Sequence, residues 1–196
     1  MTKGRPRAFD RDAALDKALD LFWAKGFEGV SIADLTEAMG VNPPSLYAAF
    51  GNKETLFREA LDRYEAGPGG YVNAALAEPD ARAVAEALLE GCIAATTGAN
   101  SPRGCLVVQG ALACGDDAAP LREELQARRR KAAEGVRRRF VKAKADGELP
   151  RDADPGDLAR YLMAVINGLS VLAADGASRA QMRRVADQAL RAMFPA

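Results

Sequence analysis

Hydrophobic residues recur along most of this chain at intervals of three and four positions, the spacing that gives a helix one buried face. The first such segment, from residue 10 to residue 25, places five apolar side chains on one side: Ala14, Leu15, Ala18, Leu19 and Phe22. Gly26 is expected to end it. Strand-like alternation is confined to residues 105–108. The pattern therefore predicts an all-α protein.

Glycine and proline residues divide the rest of the chain into further predicted helices. A helix over 53–65 keeps its apolar residues within one arc, and the run from Gly67 to Gly70 ends it. This run is the clearest internal boundary because glycine and proline both interrupt helices. The predicted helices that follow cover 80–97, 103–113, 120–146, 155–174 and 178–193.

Residues 31–50 carry the local signals of two short helices joined by a tight turn. Ser31 can cap the first helix, and Asp34 three residues later is in the position of a capping box. Gly40 supplies the left-handed backbone that a sharp turn needs. Asn42 can cap the second helix, whose first turn tolerates two prolines.

The second of these helices has one inward face and one surface face. Leu46 and Phe50 are expected inside, and Ala33 on the first helix is expected where the two helices approach closely. The predicted surface residues are Ser45, Tyr47 and Ala48. This arrangement is a helix-turn-helix, whose second helix enters the DNA major groove. An ordinary pair of core helices with a glycine turn is the alternative.

The flanks of this segment favour the DNA-binding interpretation. Upstream lies a short basic arm with Lys3, Arg5 and Arg7, which could lie in a minor groove or on phosphates. Downstream, Lys53 opens the next predicted helix. Neither flank is specific alone, but together with the turn they favour DNA binding over a simple core pair.

The N-terminal third of the chain resembles the DNA-binding domain of TetR-family repressors. The resemblance covers residues 4–61 and is most specific in the run Leu46-Tyr47-x-x-Phe50-x-x-Lys53-Glu54-x-Leu56. It implies an all-helical fold with a three-helix DNA-binding domain and a larger C-terminal domain that binds ligand and dimerises. We expect these domains at 1–52 and 53–196. One departure is Ala49, where many members carry a histidine or aromatic residue.

Predicted DNA contacts come partly from the resemblance and partly from side-chain chemistry. The resemblance implies that Tyr47 and Lys53 hold phosphates, helped by Thr36 or Ser31. Asn suits adenine and Ser is permissive, while proline offers apolar surface to thymine methyl groups. The full set is Arg5, Arg7, Ser31, Thr36, Asn42, Pro43, Pro44, Ser45, Tyr47 and Lys53.

The last two predicted helices carry the broadest apolar faces of the chain. Two core helices would explain such faces as well as a partner-binding surface does. The resemblance favours a partner, because such repressors dimerise through these two helices of each subunit and read both halves of a palindromic double-stranded operator. The predicted interface comprises Leu158, Leu162, Val165, Ile166, Leu169, Met182, Val185 and Leu190.

Composition narrows the classes of function. The chain has no histidine, which excludes histidine-dependent triads, zinc sites with histidine and histidine general bases. We expect no enzymatic activity, no cofactor and no metal. Basic and acidic side chains both number 27, so DNA binding must rest on local placement of charge. Residues 1–65 even hold 9 basic side chains against 11 acidic ones.

A membrane-spanning or secretory segment is not expected. The uncharged run from Tyr161 to Ala174 has 14 residues, short of the ~20 that span a bilayer. The N-terminus has no apolar signal region. We expect a cytoplasmic protein in which Cys92, Cys105 and Cys114 are mostly reduced.

The effector site is less legible from sequence than the DNA-binding segment. The candidates are Cys92, Cys105, Gln109 and Arg128. Cys105 interrupts an apolar run, and a buried cysteine is often only a small hydrophobic residue. The segment also resembles the electrophile- and copper-responsive branch of the family, which implies a thiol sensor. Cys92 or Cys114 could be a second Cu(I) ligand, or Arg103 could lower the thiol pKa.

The predicted helix over 120–146 carries basic runs at 128–131 and 137–139. At 100° per residue the first run encircles the helix instead of forming one face. Most of these residues are therefore expected in solvent, paired with glutamates at helical spacing. Arg128 and Arg139 instead fall on the apolar stripe, where each needs a carboxylate or an anionic ligand. The carboxylate is favoured.

These observations lead to one main hypothesis and two alternatives. The main one is a homodimeric, sequence-specific transcriptional repressor released by an unidentified small-molecule effector in the C-terminal domain. One alternative is a thiol- or copper-responsive repressor gated by Cys105. The other is a helical interaction module without specific DNA binding. In the first, the helix over 53–65 is the expected lever between the domains.

Overall fold

The computed structural model describes residues 10–98, 102–112 and 118–195, and every regular element within these ranges is helical. The predicted all-α class is confirmed. The elements are α1 (Arg11–Lys25), α2 (Ile32–Met39), α3 (Pro43–Phe50), α4 (Lys53–Ala66), a 3-10 turn (Pro68–Gly70), α5 (Tyr71–Ala75), α6 (Ala81–Thr96), α7 (Leu106–Leu112), α8 (Ala119–Ala145), α9 (Pro155–Ala174) and α10 (Arg179–Met193).

The helix-turn-helix begins and ends at the capping residues that the sequence predicts. Ser31 and Asp34 form a complete capping box at the start of α2. Gly40 ends α2 in the left-handed conformation, with φ of 71°. The side-chain oxygen of Asn42 accepts a hydrogen bond from the Ser45 backbone N–H at 2.9 Å and caps α3. All of these contacts are local, so the sequence alone could locate them.

Two hydrophobic cores divide the described chain. The first unites α1, α2, α3 and α4 with α7 and the N-terminal part of α8. The second unites α5 and α6 with the C-terminal part of α8, α9 and α10. The apolar face of α4 lies in the first core, so this helix packs with α1, α2 and α3, which we call the head. Its C-terminal end leads into the rest of the chain.

Two segments differ from the predicted helices. Residues 71–75 form α5, a short helix that has no sequence signal of its own. The Tyr71 ring lies against Gly91, where an added Cβ would come within 2.5 Å of it. The second difference is that α7 begins at Leu106, later than predicted. Gly104 precedes it with φ of 88°, a conformation that cannot continue a right-handed helix.

Among the described helices, α9 is the one whose length and composition reach those of a membrane-crossing segment, with mean hydropathy 1.3. Leu162 and Leu169 on its apolar face are completely buried inside the second core. The same length and composition are expected of a helix at the centre of a folded domain.

Candidate nucleic-acid interface and ligand cavity

The second helix of the turn, α3, presents one exposed face without charge. Leu46 and Phe50 are 0% and 2% exposed and anchor the opposite face. The exposed residues are Asn42, Pro43, Pro44, Ser45, Tyr47 and Ala48. Tyr47 is 46% exposed, which is unusual for an aromatic side chain in a folded monomer. Ala33 is exposed as well, which corrects the expectation that it packs between the two helices.

Arg11, at the start of α1, holds the end of α3, which we call the reading helix. The sequence analysis did not identify Arg11. Its guanidinium donates to the Ala49 backbone oxygen at 3.3 Å and to the Glu59 carboxylate at 2.6 Å. It also lies 4.5 Å from the centroid of the Phe50 ring, within cation–π range. These partners are 38 and 48 residues away, so no local pattern marks the contact.

Two of the predicted phosphate-binding hydroxyls are engaged within their own helix. The Ser31 hydroxyl accepts from the Asp34 backbone N–H at 3.1 Å and donates to the Asp34 carboxylate. The Thr36 hydroxyl donates to the Ile32 backbone oxygen at 2.9 Å. Hydrogen bonds from the Ser31 hydroxyl and backbone, with a smaller contribution from Lys25, lower the pKa of Asp34 to about 2. Both hydroxyls first shape α2, and their DNA contacts stay predictions.

Lys53 lies at the start of α4 against the ring of Phe27. Its ammonium nitrogen is 4.3 Å from the ring centroid. Burial lowers the pKa of Lys53, against the opposing effect of the Glu28 and Asp34 carboxylates. This contact holds the Lys53 ammonium group, a predicted phosphate ligand, in a fixed position. The other basic candidates, Arg5 and Arg7, lie outside the described residues.

A small cavity of about 90 Å³ lies between α4 and the helices of the second core. Its walls are mostly apolar, with hydroxyl, amide and guanidinium groups at one edge. The lining residues include Tyr64, Tyr71, Val72, Cys105, Val108, Arg128, Met163, Ile166, Asn167 and Ser170. Burial above all raises the pKa of the Tyr64 hydroxyl. Tyr64 and Cys105 both line the cavity, so the cavity adjoins the last turns of α4.

Cys92 is enclosed within the second core. Its side chain is completely buried, with the sulfur 3.6 Å from the Ile166 backbone oxygen and 3.7 Å from the Ser170 hydroxyl. Burial raises its pKa to about 11, although hydrogen bonds from Ser170, Tyr71 and Thr96 act in the opposite direction. A protonated, enclosed thiol is unreactive. Across the described ranges no group of three potential metal ligands occurs, and Cys114 lies outside them.

Gln109 lies away from the cavity that Cys105 lines, which corrects the prediction that they share an effector site. Its side-chain amide packs over Gly104. It borders a separate open cleft of about 440 Å³ that Trp23 and Arg103 also line.

The two inward arginines of α8 pair with carboxylates, as predicted. Arg128 donates to Asp62 and Glu65 of α4, each at 2.8 Å, and to Glu124 at 2.9 Å. Arg139 pairs with Glu148 at 3.4 Å. Their side chains are 19% and 11% exposed. Arg128 is thus a cross-link between α4 and α8, and its charge is already balanced without an anionic effector.

The predicted dimer residues fall into two groups. Leu162, Ile166, Leu169 and Met182 are at most 5% exposed and belong to the monomer's own core, so they cannot form a surface that a partner meets. Leu158, Val165 and Leu190 are half-buried and Val185 is exposed. Helical periodicity gave the wide apolar faces but could not separate their core-facing half from their outer half.

The outer half of α9 and α10 carries large apolar side chains that the prediction underestimated. Tyr161, Val171, Leu172 and Val185 are each at least 40% exposed. Tyr161, Val165 and Leu172 also line a shallow depression with the exposed side of α10. Gly168 lies in line with them on α9, and a Cβ there would meet no atom within 4 Å.

The fold and its exposed α3 define a helix-turn-helix DNA-binding protein with a larger helical domain attached. Residues 14–60 match the family described as bacterial regulatory proteins, tetR family. Residues 81–189 match the tetracyclin repressor-like C-terminal domain. The chain therefore belongs to the TetR family. It is a DNA-binding transcription regulator and not an enzyme.

Similar proteins support the same assignment. The HTH-type transcriptional repressor ComR of Escherichia coli is 37% identical, over 97% of this chain and 91% of its own length. BdcR, another repressor of that organism, is 52% identical over 31% of each chain. A solved cysteine mutant of the TetR family regulator CifR, complexed with 26-bp operator DNA, has 47% identity and TM-score 0.89, covering 97% of this chain and 100% of that one.

Proposed function

We propose that this chain is a homodimeric, cytoplasmic transcriptional repressor that a small-molecule effector releases from a palindromic operator. The observation that carries the proposal is the uncharged, exposed face of α3, which Arg11 holds in place from α1. Residues 1–52 would bind DNA, and residues 53–196 would bind the effector and dimerise. The similarity to ComR and BdcR, which are named repressors, supports repression of transcription and not its activation.

Operator binding can be tested by fluorescence anisotropy on the DNA upstream of the protein's own gene. We expect affinity at least ~10³-fold above that for scrambled DNA at near-physiological salt. Equal binding to both DNAs, with correctly folded protein, would favour an interaction module or a distant operator. A scan of genomic fragments would separate these two outcomes, since a module would retain no fragment specifically.

Two substitutions on α3 separate positioning contacts from base reading. Tyr47→Ala should weaken binding to operator and scrambled DNA alike, by about tenfold, because a bond to phosphate carries no sequence information. Ser45→Ala should instead change the preference among operator variants. The comparison is read from anisotropy on a panel of single-base operator variants. Unchanged binding by a folded Tyr47→Ala protein would contradict the proposed docking.

Effector release is proposed to act through α4. The cavity is bordered by Tyr64 of α4, and Arg128 ties Asp62 and Glu65 of the same helix to α8. A ligand that fits the cavity better in one position of α4 would shift the population toward that position. The separation of the two reading helices would then no longer match half-sites one helical turn apart, ~34–36 Å.

Dimerisation is proposed to use the outer face of α9 and α10. Tyr161, Val165, Gly168 and Leu172 lie along one line of α9 at spacings of four and three residues, as two packed helices require. Gly168 would let the partner helix approach closely. Analytical ultracentrifugation should give a dimer, and Leu172→Glu with Val185→Glu should give a folded monomer with much weaker operator binding.

A thiol-gated version of the same repressor has its own supporting observation. Cys105 is partly exposed and lines the cavity together with Tyr64 of α4, so an adduct there would press on α4. Copper gating is less favoured because Cys92, one of the two predicted second ligands, is buried and has a raised pKa. Treatment with a thiol reagent should release wild-type protein from operator DNA and leave Cys105→Ser bound.

A further inference from the structure

A buried hydrogen bond joins the DNA-binding head to the segment that precedes α7. The indole N–H of Trp23, in the last turn of α1, donates to the backbone oxygen of Gly104 at 2.8 Å, across 81 residues of chain. Trp23 is 4% exposed, and its ring meets the Tyr64 ring edge-on at 4.8 Å. A buried donor that loses its acceptor is costly, so α1 and Gly104 must move together.

The three consecutive residues 103–105 contact three different parts of the molecule. Arg103 donates to the backbone oxygens of Ala173 and Ala177 at the C-terminal end of α9. Gly104 accepts from Trp23 of α1. Cys105 lines the cavity. Residues 103–105 thus connect α9, the proposed dimer-forming helix, with α1 of the head and with the cavity.

The conformation of this segment is strongly determined. Gly104 has φ of 88°, and a Cβ there would lie 2.6 Å from the side-chain amide of Gln109. Its backbone N–H donates to the Thr96 oxygen at 3.2 Å, and Arg129 of α8 holds the Val107 oxygen at 3.0 Å. A segment held at so many points shifts as a unit and does not absorb a local displacement by flexing.

Within the head, α1 is one continuous helix with a long-range contact near each end. Trp23 lies near its C-terminal end, and Arg11 at its N-terminal end holds the Ala49 oxygen at the end of α3. The two residues are separated by about 18 Å at 1.5 Å per residue. Displacement of Gly104 therefore reaches the reading helix through α1, which also packs along α4 through Tyr64 and Glu59.

We infer that Trp23 is a positioning residue for operator binding, through which residues 103–105 transmit changes in the cavity to the reading head. The inference rests on the proposed repressor function for its effect on affinity. The chain has one tryptophan, so its tryptophan emission reports on the surroundings of Trp23 alone. Trp23→Phe keeps an aromatic ring against Tyr64 but removes the indole donor.

The test uses methyl methanethiosulfonate as a probe, which transfers CH₃S to a thiolate with loss of methanesulfinate. Modification of wild-type protein should shift the Trp23 emission and weaken operator binding by at least about tenfold. Cys105→Ser, which retains the other two cysteines, should show neither change. In Trp23→Phe, modification should weaken operator binding by less than about threefold.

A second variant keeps the test independent of the stability of Trp23→Phe. Arg11→Met acts at the far end of α1, so it should keep the emission shift and lose most of the affinity response. Thermal melts followed by circular dichroism establish that each variant is folded at the assay temperature.

Two results would overturn the inference. One is a modified Cys105 that alters neither emission nor affinity. The other is a folded Trp23→Phe protein whose affinity for the operator falls on modification as far as that of the wild-type protein does. If unmodified wild-type protein shows no specific operator binding, the proposed function fails instead. The emission shift in wild type, absent in Cys105→Ser, then still decides whether residues 103–105 move Trp23.

Discussion

The two hydrophobic cores of this protein differ in the kinds of side chain that fill them. Around the reading head, aromatic rings interlock: Phe22 and Phe27 both meet Phe57 edge-on, with centroids 5.0 and 5.2 Å apart. The second core consists largely of alanine and aliphatic side chains. It also borders the cavity of about 90 Å³. Interlocked rings thus pack the head and smaller side chains pack the larger part, while the cavity lies between the two cores, lined by Tyr64 and Val107 of the first and Ile166 of the second.

This difference corresponds to the demands on each region. A reading helix must present the same face each time, and interlocked rings resist small displacements. An effector-responsive region needs alternative packings of similar free energy, which small side chains around a cavity allow. Between the two regions, carboxylates and arginines link α4 to α8.

The largest effect is expected from removing one buried ring in each core. Phe22 and Phe140 are both completely buried. Phe22→Ala and Phe140→Ala should each lower the free energy of unfolding by about 3–5 kcal/mol. Only Phe22→Ala should also abolish specific operator binding under conditions where the protein stays folded, because its ring supports the reading helix. Chemical denaturation and anisotropy measure the two effects.

A contrary result would be equally informative. If folded Phe140→Ala loses operator binding as completely as Phe22→Ala, the second core determines head geometry as directly as the first, and the contrast between them fails.

Two glycine-to-alanine changes give a smaller, opposite pair of effects. Gly40 has φ of 71°, so Gly40→Ala should destabilise the fold by about 1 kcal/mol. Gly168 lies within α9 with open space around it, so Gly168→Ala should stabilise the monomer by about 0.5–1 kcal/mol. If a partner helix packs at Gly168, the same change should raise the dimer dissociation constant. Thermal melts and sedimentation distinguish these effects, and an unchanged dimer would argue against contact at Gly168.

The smallest effect concerns pH and the junction of α4 with α8. Burial acts to raise the pKa of Glu124, but hydrogen bonds from Arg128 and Arg58 outweigh it, and the pKa lies below its ordinary value of 4.5. A lowered carboxyl pKa contributes stability above the unfolded value, and this is lost as pH falls through the folded value. Glu124→Gln should therefore lose less stability than wild type as pH falls below about 4.5.

The control for this prediction is the exposed neighbour on the same helix. Glu123→Gln should keep the wild-type dependence of Tm on pH between about 3 and 7. A Glu124→Gln protein whose Tm falls with acid as steeply as wild type would show that the carboxylate does not stabilise the junction.

Sequence reasoning succeeded best where one helix or turn contains the whole signal. The capping box at Ser31 and Asp34, the glycine that ends α2 and the inward Leu46 and Phe50 were all predicted. The wide apolar faces of α9 and α10 were also predicted, but Leu162 and Met182 were assigned to a partner surface although they are core residues. A period of 3.6 residues identifies an apolar face without identifying what covers it.

Capping and periodicity act over about four residues, so the amino-acid sequence alone predicts the helical class, the helix-turn-helix and the exposed face of α3. The packing of whole helices, in contrast, set the placement of α5, the separation of Gln109 from the cavity and the enclosure of Cys92. It alone brought Arg11 to Glu59 across 48 residues and Trp23 to Gly104 across 81. Such contacts depend on how whole helices pack, and no local spacing encodes them.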